Sequence, residues 1–597
     1  MKLCLIGDDR RIDGETGQSA ERGQWGECQK CGEGIRLMGA RNQMVSFQLV
    51  AEIEEGESLT DFDIGFSPLS GRKGEIPADY EAYIQWFHRI EGMLVPDLLI
   101  PYGRSELPFR VPLEPEFHRG QRAGALWIDL WIPEGTPRGR YAGKLRATAN
   151  GTPWEFELSV SVYGCTVPSE SLIMADLNNY ADTLSDGFPH LRDNPNRYRD
   201  GSYLKVERDF FRLSREHRAL FQNLSYLHSG KPVDTFAPEL EGSGAALRVK
   251  SWEDFDRHFG PYLDGTAFQG SRRGAFPIEF MFTPFNLGWP AAYEKFGQKG
   301  FKTEYRRILW EYARHFEEKG WTKTVNEIMF NHKKDYRFFP STQDEIWYEH
   351  DEEVQDYMLE VMRGTYEHSS AKFVFRSDSS NHFGNHFGER YGDDVGLWVA
   401  AMAMSSWYPG CAREIRNRGG IFWLYGWYDE CMSIRLPLHA SLTQPVMCFM
   451  RGATGFCSFW NAVSWGDGYL RTPAVNGGQT LFYPGTGLSA DPVLPSLRLK
   501  VLRNHMQLLD LMMTADGLED EAARTLRREL EAIVNRCYGY KDNSAWWSEK
   551  PDFADTPPRY WDFGSIANND HYSGQTPDII HRLRQEVLRA LDGASWA

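Results

Sequence analysis

The sequence predicts a multidomain chain: an N-terminal antiparallel β-sandwich, then a (β/α)8 barrel of the TIM type, then a C-terminal helical extension. Three observations predict it. Strand-like runs separated by turn signals fill the first 168 residues, with no long helical pattern between them. From about Ser169 the pattern becomes strand then amphipathic helix, repeated until eight strand candidates have accumulated. The stretch Gly419 to Asp467 reads as two buried strands with a helix between them, and carboxylates and aromatics gather just after each strand. The implied division is residues 1–168 for a separable sandwich, 169–515 for the barrel and 516–597 for a helical and irregular extension.

The sandwich strands are Met44 to Ala51, Ala125 to Ile132 and Phe156 to Val162, with Pro133-Glu134-Gly135-Thr136-Pro137 and Asn150-Gly151 as turns. A hairpin around Gly139 to Gly143 fits the same layer. In the barrel, Leu172 to Leu177 is a strand ending in Asn178, Asn179 and Tyr180, and Ala219 to Leu227 is one ending at His228. Pro277 to Thr283 and Val325 to Phe330 follow, the latter ending in Asn331, His332, Lys333, Lys334 and Asp335. Lys372 to Arg376 ends in Asp378, and Val395 to Met402 supplies strand six. Ile421 to Tyr425 and Gly455 to Trp460 complete the set, with Asn461, Trp465 and Asp467 after the last. Tyr203 to Arg218, Lys302 to Lys319, the acidic Asp344 to His368 and Leu436 to Met450 are helical. In the tail, Pro495 to Leu511, Leu518 to Val534 and Thr576 to Leu591 are helical, the last with Pro577 in its first turn, and Tyr538 to Tyr572 is irregular.

A net charge of −17 argues against nucleic acid or an anionic membrane as partner, since both require clustered positive charge. Aromatic residues make up 14% of the chain, with 20 tryptophans, which suits a ring-lined concave site. The nine cysteines are scattered, an odd count without a framework, and are read as reduced thiols. Cys28-x-x-Cys31 is half of a zinc site with no second half, so no stoichiometric zinc is expected. The start MKLCLIGDDRR is too short an apolar run for a signal peptide, and no segment reaches about 18 apolar residues, so a cytoplasmic protein is expected. No cofactor is expected, and a homo-oligomer stays open.

Four segments resemble the bacterial glycoside hydrolases related to family 123, proteins often known only as a domain of unknown function. They are Ala40 to Val50, Val95 to Pro101, the hairpin from Trp127 to Gly143, and the run from Gly452 through Trp460-Asn461, Leu481 to Gly485 and Pro495 to Leu499. The resemblance implies a sandwich followed by a catalytic barrel, with exo-acting β-N-acetylgalactosaminidase-like activity. That family carries an adjacent Asp-Glu pair after strand four: the Asp orients the substrate's 2-acetamido group as internal nucleophile, and the Glu is the general acid/base. Here the corresponding place reads Asn331-His332-Lys333, so those roles do not carry over.

Other carboxylates must then supply the chemistry. Protonation of a leaving group needs an available acid, and an oxocarbenium-like transition state needs a nearby anion or nucleophile. Asp429 and Glu430 after strand seven, Asp335 after strand four and Asp378 after strand five are the catalytic candidates. Each reads equally as a helix cap or a solvated loop acid. Asn178, His228, Asn331, His332, Trp398, Tyr425, Trp460 and Asp467 are candidates for sugar contact, against the plainer reading of buried core residues. Asn326-Glu327 is placed at the start of strand four, at the wrong end of a barrel for chemistry. Asp378, His382 and His386 have only loose spacing for a metal. The function expected is glycoside hydrolysis at the non-reducing end of a carbohydrate; the alternative is a glycan-binding barrel without catalysis.

Overall fold

The computed structural model describes the chain except residues 19–33, 182, 225, 228–230, 232–235, 331–348, 380–389, 402–409, 426–431, 460–461, 464, 466–467, 472–479, 516–519, 540–577 and 593–597. The expected fold class holds. An antiparallel sheet runs in the order Lys2–Gly7, Gln43–Glu52, Ala123–Ile132, Tyr80–Ile90, Met93–Pro101. A second sheet is built on the long hairpin Gly139–Ala149 and Thr152–Thr166, whose turn places Asn150 and Gly151 at positive φ. The strand Gly34–Arg41 joins it in parallel. Alternate residues of both sheets face inward, so Val45, Phe47, Leu49, Leu126 and Ile128 meet Leu145, Phe156, Leu158 and Val160 in one core.

The barrel strands are β1 (Met174–Tyr180), β2 (Leu220–Leu224), β3 (Phe280–Phe282), β4 (Val325–Ile328), β5 (Lys372–Ser379), β6 (Leu397–Ala401), β7 (Ile421–Tyr425) and β8 (Gly455–Phe459). They form one parallel sheet in the order β2-β1-β8-β7-β6-β5-β4-β3. The ring closes between β2 and β3, where Gln222 Oε1 accepts a hydrogen bond from the backbone N–H of Phe282 at 2.8 Å. Around it lie α1 (Ser202–Glu216), α2 (Glu253–Leu263), α3 (Lys299–Lys319), α4 (Glu349–Met362), α5 (Cys411–Asn417) and α6 (Thr443–Arg451). The helix α3 ends at Gly320, whose φ of 73° is the left-handed conformation that terminates helices at low cost in glycine. The helix expected over Asp344 to His368 stops earlier, with Gly364 at φ 75° just beyond α4.

Among the described residues, three helices follow: α7 (Leu497–Met513), α8 (Glu521–Cys537) and α9 (Ile579–Asp592). Ser496 caps α7 by accepting from the N–H of Leu499 at 3.0 Å, and Asp520 caps α8 by accepting from Ala523 at 2.7 Å. Every residue of α7 is buried, including Arg498, Lys500 and Arg503. These cations are placed between barrel and sandwich. Arg498 holds Asp97 through Nε and Nη2 at 2.9 and 2.8 Å. Lys500 and Arg503 both grip Asp129, and Gln507 pairs with the backbone N–H and C=O of Met44. The hairpin of Phe482–Pro484 with Val493–Pro495 sends Tyr483 and Leu494 into the sandwich core. At the far end, Arg584 of α9 holds Asp8, just after the first strand, at 2.8 Å.

Candidate functional site

Parallel strands in register turn matching residues to the same face, and residues two apart share that face. The register therefore identifies the side chains that share the lumen face, and their contacts arrange them. Phe280 meets Trp423, rings in edge contact at 4.7 Å. Gly455 makes room for that tryptophan: a Cβ there would lie 2.6 Å from Trp423 Nε1. A middle layer of Asp176, Gln222, Glu327, Arg376 and Cys457 is joined by hydrogen bonds. Asn178 and Asp378 lie two residues further along β1 and β5 than Asp176 and Arg376, toward the C-terminal end of the strands where barrels carry their chemistry, and Tyr425 pairs in register with Cys457. Tyr180, Leu224, Tyr226, Phe282 and Met329 make an apolar and aromatic cluster.

Arg376 joins that layer to Asp378. Its Nε donates to Asp378 Oδ1 at 2.9 Å, a contact between residues two apart on one strand. Its Nη1 donates to Glu327 Oε2 at 2.9 Å and to Asp176 Oδ2 at 3.4 Å. Gln222 Nε2 bridges the same two carboxylates, 3.1 Å from Asp176 Oδ1 and 3.1 Å from Glu327 Oε1. The guanidinium also faces the rings of Phe282 and Trp423, with centroids at 4.9 and 6.0 Å. Asn178 Nδ2 points at Cys457 Sγ, 3.8 Å away, and among the described residues its buried Oδ1 has no donor.

The electrostatics follow from this packing. Burial pushes Glu327 up to about 7 against the pull of Arg376, with Asp176 adding to the rise, and burial raises Asp176 as well. Burial works against the charged form of Arg376, but the surrounding carboxylates, Asp378 first, outweigh it and hold the guanidinium well above its usual value. Burial pushes the Cys457 thiol well up, so it is a neutral S–H here.

Of the sequence candidates, Asn178, Asp378 and Tyr425 are on the lumen face of β1, β5 and β7, Asn178 beside Cys457, Asp378 against Arg376 and Tyr425 in register with Cys457. Trp398 is fully buried and its parity is opposite to Leu397 and Val399, which pair with Arg376 and Asp378. It packs in the core under the helices. Asp335, Asp429, Glu430, His228, Asn331, His332, Trp460 and Asp467 lie outside the described residues. So do Cys28, Cys31, His382 and His386. The placing of Glu327 needs correction: it is the third of four residues in β4 and faces the lumen one layer below Asp378, not the closed end. Sequence reasoning missed Asp176, Gln222 and Arg376. Their signal was parity: Asp176 and Asn178, like Arg376 and Asp378, are two apart and share a face. Among the described residues, no three His, Cys, Asp or Glu side chains are arranged to hold a metal. No helix among them is long and apolar enough to cross a membrane.

No protein-family model matches the sequence, and no curated protein matches it. Among solved structures, a family 123 glycoside hydrolase from Clostridium perfringens, studied for glycolipid glycan hydrolysis, aligns over 99% of this chain and 98% of its own, with a TM-score of 0.66 and 12% identity. A β-glucuronidase from Parabacteroides merdae aligns over 78% of this chain and 50% of its own at 10% identity and a TM-score of 0.28. An endo-β-1,4-mannanase from Thermotoga petrophila aligns over 59% and 79% at 10% identity and a TM-score of 0.27. The last two fits are too loose to carry an argument. The first shows the shared fold, sandwich and barrel together, along nearly the whole chain.

Proposed function

We propose that this chain is a glycoside hydrolase that works at the non-reducing end of a carbohydrate, with its site at the C-terminal mouth of the barrel. The observation that carries the reading is Asp378, held toward the C-terminal end of β5 by Arg376, with Asn178 and Tyr425 on the same lumen face of β1 and β7. Two contacts from the guanidinium, Nε to Oδ1 and Nη2 to Oδ2, favour the charged form of Asp378. Such a group is unsuited to proton donation. It is suited to stabilising the positive charge that grows at the anomeric carbon, or to orienting a neighbouring group of the sugar. Asn178, with a buried amide oxygen to offer, and Tyr425 fit a sugar hydroxyl and ring. The proton donor then comes from Asp335, Asp429 or Glu430, which follow strands four and seven in the sequence. The fold shared with a glycolipid-glycan hydrolase supports starting with glycan headgroups, N-acetylgalactosaminides among them.

The test is turnover of a panel of aryl glycosides that includes β-N-acetylgalactosaminide. Cleavage of at least one is expected, with Asp378→Asn lowering turnover by on the order of 10²–10⁴-fold and leaving the melting temperature of a folded protein. Asn331-His332, standing where relatives carry Asp-Glu, favours one other reading, a glycan-binding barrel. Binding of glycans with cleavage of none would establish that reading instead.

A further inference from the structure

The middle layer of the lumen poses a charge problem. Three carboxylates, Asp176, Glu327 and Asp378, touch one guanidinium. All four groups are sealed from water, with side-chain exposures of 0%, 0%, 4% and 1% in that order. Ionised together, the four would carry an excess of two negative charges in a dry interior. Like charges this close cannot all remain ionised without partners, and Gln222 and the Cys457 thiol are neutral. The guanidinium is also divided. Nε serves Asp378 above, while Nη1 is shared between Asp176 and Glu327 below. Each anion added below competes with Asp378 for the same cation.

We propose that Glu327 is a positioning residue for the barrel mouth: together with Asp176 it retains one proton beneath Arg376, and that proton leaves the guanidinium free to hold Asp378 in place. This deepens the glycosidase reading and rests on it for the role of Asp378, but the proton and the movement stand apart from turnover. Among the described residues, the titratable and charged groups facing Glu327 are Asp176 from β1 and Arg376 from β5, and Arg376 in turn faces Asp378 on its own strand and Cys457 from β8. Gln222 from β2 faces it as a neutral donor. The rise of Glu327 to about 7 agrees with a proton retained at neutral pH. When it leaves, a second full anion draws Arg376 down and the Nε contact to Asp378 loosens. Among the described residues, Arg376 is the cation that Asp176 and Glu327 both touch.

Glu327→Gln tests this, because the amide keeps the shape of the protonated acid and cannot ionise. Asp176→Asn repeats the test from the other carboxylate if the first variant folds poorly. Infrared difference spectra of the full chain are expected to show the carbonyl band of protonated carboxyls at about pH 6, lost by about pH 9 and weakened in Glu327→Gln, the remainder belonging to Asp9, which burial also raises to about 7; a band undiminished in the variant would overturn the proposal. Crystal structures of the unmodified protein at those two pH values are expected to keep the Arg376–Asp378 contact at the lower and open it at the higher. In Glu327→Gln the contact is expected to persist at both. On a verified substrate, turnover of the unmodified protein is expected to fall on the alkaline side with an inflection near 7, by up to about tenfold per pH unit. Glu327→Gln is expected to lack that limb. No protonated-carboxyl band, or a contact unchanged between the two pH values, would overturn the proposal. Band and movement present without cleavage of any glycoside would leave it standing and remove the glycosidase reading alone.

Discussion

At the scale of the residue, the lumen cluster makes stability depend on pH in an unusual direction. The native chain holds Glu327 near 7, above the ordinary 4.5, so it binds a proton that the unfolded chain has already released. Stability from this group is fully present below about 4.5 and is lost as pH rises through about 7, at no more than about 1.4 kcal/mol per pH unit. Asp176 acts in the same direction. Asp8, Asp97 and Asp129 act in the opposite one: burial disfavours their charge, but Arg584, Arg498 and the Arg503–Lys500 pair outweigh it and lower all three. Their stabilisation is present above the usual aspartate value of 3.8 and fails below it. Between about 4.5 and 7 the lumen pair is joined by Asp9, which burial also raises to about 7 and which acts in the same direction, and by His88, His118 and His505, which burial lowers to about 4, 4 and 3 and which act in the opposite one. The share of Glu327 is therefore read as a difference: across this window the urea midpoint of the unmodified protein is expected to fall relative to that of Glu327→Gln, and parallel midpoints in the two would refute it. The residues involved also show what a linear reading misses. Lys372 to Arg376 reads as a strand ending at the charge that follows its apolar run, whereas β5 continues to Ser379. A charge satisfied inside a barrel looks, in one dimension, like the edge of a loop.

At the scale of the element, legibility depends on whether burial is one-sided. The helix α3 shows Phe301, Tyr305, Ile308, Leu309, Tyr312 and Phe316 on its buried face, and the sequence pattern found it within three residues. The strand β7 was legible at both ends because it is a short apolar run with glycines before it. The helix α7 was legible as a helix but not in its setting. The whole helix is buried, Arg498, Lys500, Arg503 and Asn504 included, and those side chains meet partners from hundreds of residues earlier in the chain. Asp129 is the centre of that interface, accepting from Ser46, Trp127, Lys500 and Arg503. Asp129→Ala would leave two buried cations without their anion. A loss of about 3–5 kcal/mol is expected, read as a lowered denaturation midpoint. A change within about 0.5 kcal/mol, the range of surface substitutions, would show that water replaces the anion there.

At the scale of the whole molecule, the sandwich and barrel share more than a linker. The change of pattern near Ser169 falls between the long sandwich strand that ends at Thr166 and the first barrel strand, which begins at Met174. Pattern cannot show that later residues return. Tyr483 OH donates to Asp97 at 2.6 Å inside the sandwich, and Leu494 fills the same core. Residues 1–168 expressed alone are therefore expected to lack a closed core and to show no cooperative thermal transition, while the full chain unfolds with the sandwich and barrel in one step. Calorimetry of both checks this, and a sharp transition in the fragment would refute it.

The returning hairpin also bears on how the chain comes off the ribosome. The sandwich is synthesised first, but the side chains that complete its core are more than 300 residues downstream, at Tyr483 and Leu494. At about 5–20 residues per second, the nascent sheets wait on the order of tens of seconds with part of their apolar interior open. The barrel is translated during that interval, and its own final strand, β8, precedes the hairpin that seals the sandwich. The first domain to emerge is thus among the last to be finished, and holding that exposed surface during elongation is work for a chaperone.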